Sequence, residues 1–415
     1  MNEILFNEVK KLYESYGVDV DKAIDTLKKI RISIHCWQGD DVQGFHSKES
    51  LSGGISVTGN YPYRASNIHE LREDIDQVLS LVPYQHKLNL HAIYLDSDEH
   101  VELDKIEPKH FSSWVEWAKE RNLGLDFNPT LFSHPNSKSG FTLSSMNSDI
   151  QKFWINHVNQ SRKIAAYFGE ALNIPSICNI WIPDGFKDTP FLRLEPRKRL
   201  EEALNSIYQQ NYDKKYLIDT LESKLFGIGA ESYTTGSHEF YLGYAVKNQK
   251  GLCLDSGHFH PTEHVYDKLS SVSLFVNDIL LHVSRPVRWD SDHVVTLDDE
   301  LFEIMNSITA DDLINKVHIG LDYFDASINR IAAWVQGIRN TQKSLLKSLL
   351  RPFDKFKELD HENKYTDRLI LQEELKSLPF NVIYDYLCEK ENIPMGNQWL
   401  EHINAYEKTL KENRK

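Results

Sequence analysis

Seven side chains in the second half of this 415-residue chain have the types and spacing of a metal centre. They are Glu222, Asp255, His258, His282, Asp290, Asp292 and Asp322, in the stretches LESK, LDSGH, LLHV, WDSD and GLDY. Five carboxylates held close together raise one another's pKa and cannot all ionise without compensating cations. Two divalent ions would bring four positive charges against those five negative ones. Hard oxygens with two imidazoles suit Mn²⁺, Co²⁺ or Mg²⁺ better than a thiolate-loving ion. Taken singly, an Asp at a strand end is usually a helix cap and a buried His a satisfied interior residue. What argues for a dimetal site is the convergence of all seven. His260, His293 and Asp325 are read as structural, and Cys253 as ordinary core.

Three more types of residue belong with this set. Lys224 follows Glu222 by two positions, and residues two apart in a strand share a face. Both are therefore expected to face the same interior, with the ammonium placed to act on a polarised substrate group. Trp37, Trp181 and His91 close other strand-like runs and are candidate walls of a substrate pocket.

These residues need a scaffold that brings distant segments to one mouth. Eight short apolar runs recur along the chain, at 31–37, 87–95, 123–129, 175–183, 216–226, 251–258, 279–286 and 317–325. Between them lie segments such as FSSWVEWAKERN and IQKFWINHVNQSRKIAAYF, whose apolar residues recur at helical spacings. Eight β-then-α units predict a closed (β/α)₈ TIM barrel, in which functional groups sit at the carboxyl ends of the strands. The last four runs carry five of the seven candidate ligands, and the seventh runs on towards the other two, Asp290 and Asp292. Neither GxGxxG nor GxxxxGK[ST] occurs, so an open nucleotide-binding sheet has little support. The expected organisation is an N-terminal helical segment (1–29), the barrel (30–344) and a Lys/Glu-rich helical extension (345–415) that packs on its own barrel or on another subunit. The Gly-rich loop 39–65 after the first run is a candidate lid.

The formal charge is −14, from 47 Lys and Arg against 61 Asp and Glu. Such a chain is a poor partner for nucleic acid and suits small neutral molecules or cations. Four scattered cysteines offer no C-x-x-C pair and ask for no oxidising compartment. The first residues carry charges throughout, and no apolar run is long enough to cross a membrane. The expected location is the cytoplasm, and the lone N-x-S sequon at Asn159 is read as chance.

The pattern Glu222-x-Lys224, Asp255-x-x-His258, Asp290-x-Asp292 with a further Asp on the eighth run resembles the metal site of the xylose isomerase-like barrels. Longer stretches resemble the L-rhamnose isomerase family between about residues 35 and 340. They include HCWQGDDVQGF, GGISVTGNYP, LNLHAIYL, NIWIPDG, ESKLFGIGAESYT, LDSGHFHPTE, HVSRPVRWDSDHVV and IGLDYFDASINRIAAWV. The resemblance implies an aldose–ketose isomerase converting L-rhamnose to L-rhamnulose with two Mn²⁺ ions per subunit. It implies that Glu222, Asp255, His282 and Asp322 form a structural metal site. His258, Asp290 and Asp292 would form a catalytic one, with Asp255 bridging the two. It also implies a homotetramer in which the 45–65 loop reaches a neighbouring subunit.

In the expected chemistry, ions polarise the sugar oxygens and a hydrogen passes from C2 to C1 as a hydride. Lys224, Asp292 and His258 are the expected catalytic groups, with Lys224 near O1 and Asp292 holding a water. The competing route is an enediol path with a carboxylate or histidine as base. Two other functions compete. A dimetal phosphodiesterase or endonuclease would need a basic groove, which the charge balance does not favour. A metal-dependent sugar-binding protein without activity would not need Lys224 beside a ligand.

Overall fold

The computed structural model describes residues 3–45, 51–52, 55, 57–225, 232–287 and 289–414. The eight apolar runs form a closed parallel barrel. Its staves are β1 (Ser33–His35), β2 (Lys87–His91), β3 (Gly124–Asn128), β4 (Ser176–Trp181), β5 (Leu217–Glu222), β6 (Gly251–Asp255), β7 (Ile279–Val283) and β8 (Val317–Leu321). Neighbours in sequence are neighbours in the barrel, and β1 closes it by pairing Ser33 with both Lys87 and Gly320. Each strand stops short of the run read from sequence. The ends of those runs are loop or 3₁₀ turn, because apolar side chains continue past the last ladder bond into the mouth.

Alternation along the staves separates two interiors. Leu88, Leu90, Leu125, Phe127, Leu252, Leu254, Leu281 and Val283 face outward into the main core. Inward-facing Ile177, Cys253 and Leu280 form a small plug of their own, with Ile218 against it. Cys253 is therefore core, as expected, but core of the barrel lumen, two residues below Asp255. The rest of the lumen is polar and paired in part, with His35 and Asn89 Oδ1 left without partners among the described residues. Asp126 accepts from Ser33 Oγ and Lys87 Nζ, both at 2.7 Å, and Thr220 donates to Asn179 at 2.8 Å. Buried polar groups of this kind are tolerated only when paired, and once paired they fix side-chain positions.

Fourteen helices surround the barrel among the described residues. α1 (Glu3–Ser15) and α2 (Val20–Lys29) precede β1. α3 (Ile68–Leu79), α4 (Ser112–Glu120), α5 (Ser148–Leu172), α6 (Leu194–Ile207), α7 (His238–Asn248), α8 (Val265–Val272) and α9 (Asp299–Ala310) connect successive staves. Side-chain caps start them where polar residues precede apolar periodicity: Asn67 accepts from Glu70 N, and Asn147 from Asp149 N. α10 (Arg330–Leu349) lies across the outside of β1, where buried Trp334 donates to the His35 carbonyl at 2.9 Å. It runs through position 345, so the helical extension grows out of a barrel helix.

The extension comprises α11 (Phe353–His361), α12 (Tyr365–Ser377), α13 (Phe380–Lys390) and α14 (Trp399–Asn413). It packs on its own chain. Phe6 of α1 stacks on Tyr386 of α13 at 3.9 Å, and Arg414 reaches Asp74 of α3 at 2.7 Å. No helix among the described residues is long and apolar enough to cross a membrane.

Much of the expected lid, at 46–50, 53–54 and 56, lies outside the described residues. Its return leg is tied down: Thr58–Gly59 pairs with Asp325–Ala326 beyond β8. Gly59 has φ +115, and a Cβ there would collide with the Ala326 backbone. Only glycine fits that close approach.

Candidate metal centre and active site

The carboxyl ends of β5 to β8 place acidic and imidazole groups within reach of one another. Glu222 is the last residue of β5 and Asp255 the last of β6. His282 stands beside Asp255 in the ladder and Asp322 directly follows β8. His282 has room because its neighbour on β8 is Gly320, where a Cβ would lie 3.2 Å from the imidazole. Its Nδ1 faces Glu222 Oε1 at 3.1 Å, Asp322 Oδ2 at 3.1 Å and Asp255 Oδ2 at 3.6 Å. Three carboxylates around one ring nitrogen form a first cluster.

Asp255, His258 and Asp290 form a second. His258 Nε2 lies 3.1 Å from Asp290 Oδ2, and its Nδ1 lies 3.5 Å from Glu222 Oε1. Each cluster offers ligand atoms all within 4.8 Å of one another, and Asp255 belongs to both. Glu222, Cys253 and His282 come equally close to one another. Burial pushes the Cys253 thiol pKa up, which disfavours the thiolate a metal would need.

The sequence ran strand seven on towards Asp290 and Asp292. Instead the chain leaves β7 and folds into an antiparallel hairpin, Arg285–Val287 against Trp289–His293. The hairpin turns Asp290 back over His258. Gly257 makes this possible, since a side chain there would strike Asp290 Oδ1. Asp292 has the left-handed φ of +48, a conformation Asp tolerates better than most residues. It lies outside both clusters, yet it feels the charges of Asp290, Asp322 and Asp255.

The electrostatics show a charge set that protein groups alone balance poorly. Burial raises the Asp255 carboxyl to about 6 against the pull of His258 and His282. Burial and then Asp290, Asp322 and Asp255 hold Asp292 well above the ordinary carboxylate range. Burial works against protonation of His258 and His282, but Asp255 and Asp290 beside the first, and the Cys253 sulfur, Glu222 and Asp322 beside the second, hold both pKa values well above normal. Burial would raise Asp322, yet His282 brings it down to about 2. Two buried atoms, His258 Nδ1 and Asp290 Oδ1, have no hydrogen-bond partner. Orphaned donor atoms of hard oxygen and imidazole type, in shared clusters, fit divalent cations.

Aromatic groups continue the rim on the other side. Trp37 donates Nε1 to Asp322 Oδ1 at 3.1 Å. From it a chain of ring contacts runs through His91 at 4.7 Å, then Phe132 at 5.4 Å, then Trp181 at 6.1 Å. Burial lowers the His91 pKa to about 3, so its ring is neutral and shares a hydrogen bond with Thr130 at 3.1 Å. Lys224 lies beyond the end of β5, not on it as the spacing suggested. Its ammonium donates to the Pro183 carbonyl at 2.9 Å, and burial lowers its pKa to about 8 against the pull of Asp184. His260 and His293 turn to local hydroxyls, on Thr262 and Ser291, and Asp325 caps the turn at Ser327.

Two contributors escaped the sequence. Asn179 donates to Glu222 and accepts from Thr220, which fixes the carboxylate's second oxygen. Its signal was the inward period Asn179-x-Trp181. Phe132 bridges His91 and Trp181 from a loop four residues past β3, where periodicity no longer applies.

Fold and site together define a TIM barrel with candidate metal-binding clusters at the carboxyl ends of its strands. A solved L-ribulose 3-epimerase shares that fold, with a TM-score of 0.50 and 11% identity over 77% of this chain and 95% of that one. The family model described as L-rhamnose isomerase (RhaA) matches residues 2–414. L-rhamnose isomerase of Listeria innocua is 56% identical over 98% of this chain and 97% of its own. That of Salmonella paratyphi A is 55% identical over the same shares. The chain belongs to the L-rhamnose isomerase family.

Proposed function

We propose that this chain interconverts L-rhamnose and L-rhamnulose at the carboxylate–imidazole centre, with two divalent cations per subunit. Membership of the family makes it an aldose–ketose isomerase; the nuclease and binding-only alternatives are not favoured. The observation that carries the site assignment is the sharing of Asp255 between two ligand clusters. Glu222, Asp255, His282 and Asp322 would hold one ion. His258, Asp255 and Asp290, with Asp292 adjoining, would hold the other. The donor set favours Mn²⁺, with Co²⁺ or Mg²⁺ as substitutes. Once bound, such ions supply Lewis-acid polarisation of the sugar's oxygens.

The chain's own groups do the rest. Trp37, His91, Phe132 and Trp181 wall the mouth, exclude water and give the sugar's C–H faces an apolar surface. Neutral His91 is available to hydrogen-bond a sugar hydroxyl. Lys224, protonated below about pH 8, holds positive charge near O1 as the carbonyl oxygen gains electron density. Asp292 accepts the O2 proton through a water that it holds and delivers it to O1 once the hydride has moved, and His258 fixes Asp290 beside it. The hydrogen then moves from C2 to C1 as a hydride. A water-excluding rim supports this route over an enediol that would exchange its proton. The enzyme is read as a cytoplasmic homotetramer, supported by four buried free thiols and by exposed Phe186, Phe191, Leu192 and Leu194 beyond β4.

Incubation with Mn²⁺ and a panel of aldoses, assayed for ketose, tests the function. L-Rhamnulose should form and chelation should abolish it; turnover after exhaustive chelation would refute the metal centre. With deuterium at C2, the label should stay in the product, and wash-out to solvent would point to the enediol path. Light scattering should give the mass of four chains.

A further inference from the structure

The opposite end of the barrel holds a cavity of about 1060 Å³, of the size that takes a small organic ligand. It opens between α2, the start of β1 and the junction of α10 with α11, and its floor reaches the bottom of the lumen at Ser33, Ile177 and Leu280. None of the metal-site residues lines it.

Its charge is opposite in sign to that of the chain. Seven Lys and Arg side chains line it against five carboxylates, in a protein of net charge −14. Several of those carboxylates are already engaged. Asp126 is bound by Lys87, Glu358 by Lys355 at 2.8 Å, and Asp19 caps α2. Two guanidiniums are left without a counter-ion. Arg31 spends one nitrogen on the carbonyls of His86 and Asn122, and Arg351 spends one on Asn306 at 2.8 Å. Among the described residues, neither has a carboxylate within ion-pair distance. Arg351 is 7% exposed and held over the Phe356 ring at 4.7 Å, so its plane is fixed. Burial lowers the pKa of both groups, that of Arg351 against the pull of the more distant Glu303, the mark of charge drawn out of water.

A buried arginine without an ion pair, such as Arg351, is costly to keep, and the planar fork of both groups matches a tetrahedral dianion. Ile174, Pro175 and Phe353 add an apolar wall for an organic moiety. We propose that this cavity binds a phosphorylated small molecule, its phosphate on Arg31 and Arg351 and its carbon skeleton over the lumen floor. Lys22 and Lys29, both exposed on α2, would steer the anion inward.

The test is calorimetric titration of the Mn²⁺-loaded enzyme, its mouth saturated with sugar, with inorganic phosphate and separately with glucose 6-phosphate. Both should bind, the ester more tightly. Arg351→Gln and Arg31→Gln should each weaken binding about tenfold or more. Glu222→Gln, which acts at the other end of the barrel, should leave it unchanged. The proposal is overturned if neither probe binds at about 10 mM, or if Glu222→Gln abolishes binding while the arginine variants keep it. Circular dichroism checks folding. If an arginine variant fails to fold, the exposed Lys22→Gln/Lys29→Gln double variant takes its place: severalfold weaker binding supports the site, and unchanged affinity overturns it.

Discussion

Gly257→Ala is the sharpest perturbation the geometry offers. Gly257 lies in the turn between Asp255 and His258, and its φ is not in the left-handed region, so alanine suits the backbone. What alanine cannot do is share space with the ligands. Its Cβ would press on Asp290 Oδ1 and come within 3.2 Å of Asp255 Oδ1. Restoring ordinary contact requires Asp290 or the hairpin that carries it to retreat by about 1 Å, and a misplacement of that size near reacting groups costs about 10²-fold in rate. Affinity for one of two metal equivalents should fall about tenfold, while the melting temperature of the metal-free protein changes little. Initial rates of ketose formation across a Mn²⁺ titration read both effects. Gly243→Ala on α7 is the matched control, because nothing lies within 4 Å of its Cβ. It should leave kcat unchanged and add about 0.5–1 kcal/mol of helix stability. A Gly257→Ala enzyme within twofold of the parent in kcat and in both metal affinities would refute the placement of Asp290 in the centre.

Three further outcomes are expected. If the Lys224 ammonium acts near O1, kcat should fall as pH rises through about 8, the value to which burial lowers its pKa; Lys224→Met should lose about 10²-fold and with it that limb of the pH profile. Removing the ions with a chelator should lower the melting temperature, since about 1,000-fold excess over Kd is worth roughly 4 kcal/mol, and calorimetric re-addition should count two equivalents. Arg414→Ala should cost about 3 kcal/mol in urea unfolding, because it leaves Asp74, 5% exposed and bonded to Arg414 at 2.7 Å, without its cation and with the Tyr406 hydroxyl as its remaining partner.

The sequence by itself carried the barrel and the ligand types. Eight apolar runs with helical patterns between them read directly as staves, because inward and outward faces both demand apolar or paired residues every second position. Asp255-x-x-His258 and Asp290-x-Asp292 offered candidate ligands by residue type. Tertiary structure decided how those groups meet. The hairpin beyond β7 is short and polar, without the periodicity that makes a strand legible, yet it alone returns Asp290 to His258 while setting Asp292 apart. The spacing of Glu222 and Lys224 promised a shared strand face, but the ladder ends at Glu222 and Lys224 turns to Pro183 on the neighbouring segment. Cys253 looked inert beside its neighbours and proved to face the lumen beneath Asp255, because inward and outward are properties of closure. Asn179, Phe132 and the unpaired arginines of the barrel floor matter only through contacts across the chain, and local sequence has no means of encoding such distances.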